Sequence, residues 1–113
     1  MPKKSLETLS EPMFYVLMAL NRQNLCGADI VSWVSGRTQG RVALGPGTLY
    51  TILPKLTEGG MLHEVSTEGR KRTYEITEQG RALYKAECAR LRRQVADMEA
   101  AEREALPPLR KEA

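Results

Sequence analysis

The reactive side chains of this sequence are few and do not assemble into a catalytic set. Its one histidine, His63, has no further ligands spaced for a metal and no nucleophile arranged around it. Cys26 and Cys88 form neither a Cys-x-x-Cys pair nor a disulfide framework, so reduced thiols are expected. Gly45–Pro46–Gly47 lacks the Lys and the Ser/Thr of a phosphate loop. No enzyme activity, metal or cofactor is therefore expected. What the chain does concentrate is hydroxyls and cations. Thr48, Thr51 and Lys55 recur on one side of a helical stretch, with Tyr50 on its flank. Arg70, Lys71 and Arg72 follow Gly69 in a short turn. Thr38 and Arg41, with Arg37, lie in the loop before the helix. Such groups bond to base edges and phosphates, and neutralising phosphates strengthens binding through counterion release.

These residues need a scaffold, and the sequence outlines one. Residues 1–8 read as a loose or partly helical arm. Ser10 is an N-cap, with Glu11 and Pro12 in the first turn of a helix that ends near Arg22–Asn24. Phe14, Leu17, Met18 and Asn21 share a stripe of it, widened by Val16 and Leu20. Leu25–Cys26–Gly27 breaks the chain. A second helix runs from Ala28 to Gly36, with Ile30, Val31 and Val34 inward and Trp33 nearby. Pro46 opens a third helix whose apolar face is Leu49, Ile52, Leu53 and Leu56, at i, i+3, i+4, i+7 spacing. Gly59–Gly60 stops it. Met61–Ser66 and Arg72–Ile76 are strand candidates around a Glu68–Gly69 turn, with Val65, Tyr74 and Ile76 inward. Thr77 is an N-cap for the last helix.

A polar-faced helix followed by a two-stranded ribbon tipped with cations is the outline of a winged helix. The expected class is mainly α with a small β-ribbon (α+β). A winged helix-turn-helix domain spans residues 1–77, a C-terminal dimerisation helix 78–106 and a tail 107–113. The apolar fraction of 42% suits a folded domain. Net charge is only +3, so a nucleic-acid reading rests on where the cations sit. The near balance of charge over residues 1–80 supports a second reading, a winged-helix module that binds protein and not DNA. The longest apolar run, Met13–Leu20, is far below the ~20 residues that span a bilayer. A cytoplasmic location is expected.

From Glu78 to about Ala105 the composition turns to strong helix formers. Tyr84, Cys88, Leu91, Val95 and Met98 are spaced 4, 3, 4, 3, the period of a coiled-coil seam. A stripe this narrow on a helix this long calls for a second helix, and another copy of the chain is the simplest source. Pro107–Pro108 ends the element.

The run LGPGTLYTILPKLTEGGML, followed by GRKRTYEIT and EQGRALY, resembles the PadR family of bacterial transcriptional regulators over roughly residues 9 to 85. The resemblance implies a dimeric winged helix-turn-helix repressor at a pseudo-palindromic double-stranded DNA operator. It places Thr48, Tyr50 and Lys55 on the recognition helix and Arg70, Lys71 and Arg72 on the wing. It brings Phe14, Tyr15 and Met18 into the dimer interface, and it implies a small-molecule effector between the subunits. Two departures stand out. Ala28 follows Gly27 where the family often has an aromatic. Pro54 sits inside the third helix, where the family more often has proline at the position of Thr51. Proline there removes a backbone hydrogen bond and crowds the Tyr50 carbonyl, at a cost on the order of 3 kcal/mol. A kink or an outward-turned Tyr50 carbonyl is expected.

Overall fold

The structure, a computed structural model, describes residues 9–110. The arm at residues 1–8 lies outside them, as do residues 111–113 of the tail. The chain runs α1 (Glu11–Arg22), β1 (Leu25–Cys26), α2 (Gly27–Thr38), α3 (Pro46–Glu58), β2 (Leu62–Glu68), β3 (Lys71–Ile76) and α4 (Glu78–Arg103). The Ser10 hydroxyl accepts from the Met13 amide at 3.3 Å and caps α1 as its residue type requires. α1 buries Met13, Val16, Leu17, Ala19 and Leu20. Around them close Ile30 and Val34 of α2, the four apolar residues of α3, and Leu62 and Ile76 of the sheet. One core therefore holds all three short helices against the base of the ribbon.

α2 runs past Gly36 to Thr38 and ends between the two glycines, Gly36 and Gly40, that bracket its exit in the sequence. It stops at Gln39, which adopts a left-handed φ of 53°. The Gly40 amide reaches back to the Ser35 carbonyl at 2.8 Å. That closure satisfies carbonyls that would otherwise be orphaned, and it offsets the strain of a non-glycine residue in this region. α3 follows the sequence closely, with Leu49, Ile52, Leu53 and Leu56 all buried. It continues as one helix through Pro54.

The ribbon is larger than expected. Leu25 and Cys26, a break by sequence, pair antiparallel with Tyr74 and Thr73 and make a third strand. The sheet order is β1-β3-β2. Val65 does not point inward; it is 44% exposed. The β2–β3 register passes from Glu64↔Tyr74 to Ser66↔Thr73, which leaves Val65 as the extra residue of a bulge. The outer half of the wing thus leaves the core. Its tip turns at Gly69–Arg70, one residue beyond the expected pair, since Glu68 still pairs with Lys71. Gly69 has φ +60° and supplies the first position of a type II′ hairpin turn.

The start of α4 is bound tightly to the end of α3. The Thr77 hydroxyl accepts from the Gly80 amide at 3.0 Å and donates to the Gly60 carbonyl at 2.6 Å. The Thr77 amide donates to the Met61 carbonyl at 3.0 Å. Gly80 is buried because the backbone passes here with no room for a side chain. A Cβ at this position would run into the Met61 carbonyl oxygen and come within 2.9 Å of Ile76 Cγ1. Elsewhere on the sheet, Glu75 joins three segments. One of its carboxylate oxygens lies 2.7 Å from His63 Nε2 on β2, and the other accepts from Asn24 Nδ2 at 3.3 Å. The hydrogen bond from His63, then that from Asn24, hold the Glu75 carboxyl below the usual glutamate range.

Gly80→Ala is expected to destabilise the protein by about 1–3 kcal/mol through overpacking, although alanine is the better helix former. Urea denaturation checks it. The lowered pKa of Glu75 means that its contribution is present above the ordinary glutamate range and is lost as the pH falls through the lowered folded-state value. Glu75→Gln should therefore lower Tm modestly at about pH 7, by an amount that shrinks as the pH is taken below the glutamate range, as a series of thermal melts will show.

Candidate nucleic-acid interface

With its apolar side committed to the core, α3 presents the rest to solvent. Thr48, Tyr50, Thr51, Pro54 and Lys55 are all exposed, Tyr50 at 76%. The wing projects Arg70, Lys71 and Arg72 beside this face, also exposed. Among the described residues Arg70 and Lys71 enter no ion pair, whereas Arg72 Nε lies 3.6 Å from Glu64 Oε1. Helix and wing enclose an open groove of about 910 Å³ lined by Gly27, Tyr50, Pro54, Arg70, Lys71 and Tyr74, among others. The wing wall is cationic, and the opposite wall carries the Tyr50 ring and the Asp29 carboxylate. That arrangement suits a polyanion with flat bases.

Three of the expected contact residues make bonds within the chain. The Thr38 hydroxyl donates to the Val34 carbonyl at 2.8 Å and accepts from the Val42 amide at 3.0 Å, which secures the loop leading to α3. Arg41 reaches back to α1, donating to the Tyr15 hydroxyl at 2.7 Å with Glu11 at 3.6 Å. Thr51 donates to the Gly47 carbonyl of its own helix at 2.9 Å. Trp33 is flanked by two guanidiniums, Arg22 at 5.7 Å and Arg37 at 5.2 Å from its ring centre. Its ring is covered by its own chain.

The residues expected at a dimer contact divide into two groups. Phe14 and Tyr84 stack within one chain at 5.3 Å, and Arg81 Nε donates to Asn21 Oδ1 at 3.0 Å. These fasten the first turns of α4 to α1. Met18, Cys88 and Leu91 are half-buried. Burial, and then the neighbouring Cys88 thiol, push the Tyr84 phenol upward in pKa. Val95 and Met98 are apolar and 48% and 54% exposed. The groove itself has no signature in the sequence. Gly27, on α2, meets Arg70 and Lys71 across it only because β1 adds to the sheet beneath the wing. Among the described residues there is no group of three or more metal-ligating side chains, and no helix is long and apolar enough to cross a membrane.

Three helices around one core, a hairpin wing beside the third, and a long trailing helix define a winged-helix protein. Residues 16–86 match the Transcriptional regulator PadR-like family, and the chain belongs to that family. Its fold is similar to that of a PadR family transcription regulator from Clostridium difficile R20291, with a TM-score of 0.70 at 14% identity over 80% of this chain and 97% of the other. A transcriptional regulator from Clostridium thermocellum is similar at TM-score 0.69 and 22% identity, over 78% of this chain and 89% of that one. Bacillus subtilis PadR in complex with operator DNA is similar at TM-score 0.64 and 20% identity, over 91% of this chain. This chain spans about half of that protein, 54% of its length. None of the curated proteins compared with the chain matches it.

Proposed function

We propose that this regulator acts as a homodimeric repressor that binds a pseudo-palindromic DNA operator through α3 and the wing. One observation carries the reading: the same chain has a reading face with no core duty and a long helix whose apolar seam outruns its own domain. α4 has 26 residues, so it is about 39 Å long. Its first turns pack on α1, yet every described residue from Arg92 onward is exposed. A seam that continues through Val95 and Met98 is best covered by a second copy, since a two-fold contact uses one stripe twice.

In such a dimer the two α3 helices enter successive major grooves about 34 Å apart, one turn of duplex. Thr48, Tyr50 and Thr51 meet bases or nearby phosphates. Lys55 and the wing cations hold the backbone, while Thr38 and Arg41 stiffen the approach to α3. Repression follows if the bound duplex is closed to the transcription machinery. A small molecule that prefers one dimer geometry would tune operator affinity by that preference. The near-neutral charge of residues 1–80 favours the competing reading, a module that binds only protein. Saturable, competitor-resistant binding of a duplex at physiological salt would eliminate it.

Arg70→Ala with Lys71→Ala should weaken binding to all duplex sequences alike. It should flatten the plot of log K against log salt by roughly 0.9 for each phosphate no longer neutralised, measured by fluorescence anisotropy. Unchanged affinity and slope would count against the wing's role. Val95→Asp with Met98→Asp touches only exposed positions, so the fold should persist while the dimer separates. Light scattering at micromolar concentration checks this, and a parent chain that is itself monomeric would overturn the dimer.

A further inference from the structure

The operator-binding reading leaves open what α3 can read, and the helix face narrows the answer. At 3.6 residues per turn, the line opposite the buried Leu49–Ile52–Leu53–Leu56 face runs through Gly47, Thr51 and Pro54, with Glu58 at its far end. All of these positions are exposed. This central line offers no free side-chain donor, and the Glu58 carboxylate at its far end only accepts. Gly47 has no side chain. The Thr51 hydroxyl donates its proton to the Gly47 carbonyl at 2.9 Å, so it has no donor to offer outside and presents its methyl beside an acceptor oxygen. Pro54 has no N–H and presents a hydrocarbon ring. The polar groups, Thr48 and Lys55, lie to one side, and the Tyr50 ring lies to the other.

Gly47 adds an independent observation. Among the described residues a Cβ built on it meets nothing within 4 Å, and its φ is not left-handed. The fold does not require glycine there, yet glycine weakens a helix. A bare backbone in the first turn of the exposed face allows something outside the chain to come close. In the major groove the one apolar group on a base edge is the C5-methyl of thymine.

We propose that α3 reads thymine C5-methyl groups through the Gly47–Thr51–Pro54 line, with the flanking cations on the phosphates. Specificity at those base pairs comes from burying a methyl against Thr51 and Pro54 at the close approach that Gly47 permits. The inference rests on the operator-binding reading. It differs from a side-chain hydrogen-bond code, in which Thr51 would donate to or accept from a base.

The test begins with duplexes selected by the full-length protein from a random pool. Each thymine of one selected duplex is then replaced singly by deoxyuridine, which removes the methyl and keeps the pairing. At one or more thymines in each half-site, uracil should weaken binding about fourfold, the transfer value of one methyl-sized group. Thr51→Ser keeps the hydroxyl and loses the methyl. It should bring the thymine-to-uracil ratio at one position close to one. Gly47→Ala should melt no lower than the parent and bind the duplex more weakly. A selected duplex bound equally well with uracil at every position overturns the methyl inference alone, as does a Thr51→Ser protein with the ratio intact. Failure to select any duplex overturns the operator-binding reading beneath it.

Discussion

The direction of α4 depends on the junction where the chain leaves α3 and enters the last helix. Five backbone and hydroxyl groups meet there within hydrogen-bonding distance: the Gly60 and Met61 carbonyls, the Thr77 hydroxyl and amide, and the Gly80 amide. Glycine at 80 lets the strand and helix backbones touch. The consequence is mechanical. The angle between α3 and α4 is held jointly by this backbone contact and by the Phe14–Tyr84 stack and Arg81–Asn21 bond that fasten α4 to α1. A swing of the rod would have to break these hydrogen bonds, each costing about 1–3 kcal/mol if left buried and unsatisfied. The proposed spacing of two reading helices needs this rigidity.

A second constraint is how the small core is shared. Leu49, Ile52, Leu53 and Leu56 fill it from one side of α3, while α1 and α2 supply the other walls. Because the inward side of α3 holds the helix in place, the outward side is free of any folding duty. Thr38 and Arg41 then steady its entry from the loop, through bonds to Val34, Val42, Tyr15 and Glu11. The site is thus a rigid surface, and its charge is local. Cations cluster at the wing tip in a chain whose overall charge is only +3.

Much of this is legible in the residue pattern. The caps at Ser10 and Thr77, the apolar period of α3 and the glycines at 59 and 60 are local signals, and local backbone chemistry enforces them. The family resemblance adds the order of elements. Less legible is β1, whose two residues have no strand signature of their own and pair only because β3 lies alongside. Val65 departs from its expected inward place because alternation along a strand assumes an unbroken register, and a bulge breaks it. The end of α2 shifts for a similar reason. The Gly40 amide, bonded to the Ser35 carbonyl, closes the helix at Gln39, past a glycine that taken alone suggests a stop.

The amino-acid order alone determined where the helices begin, which side of each is apolar, and that the last helix carries a seam longer than its domain can use. Those properties depend on neighbours within a few positions, so short-range spacing encodes them. Tertiary structure alone decided which polar groups remain free. Thr38, Thr51 and Arg41 look equally available in the sequence, yet their hydrogen bonds go to Val34, Gly47 and Tyr15. The groove that joins Gly27 to Arg70 is likewise a product of strand pairing across long separations. The physical reason is the same in both cases. A donor's availability, and a concavity's existence, depend on what the fold brings beside them.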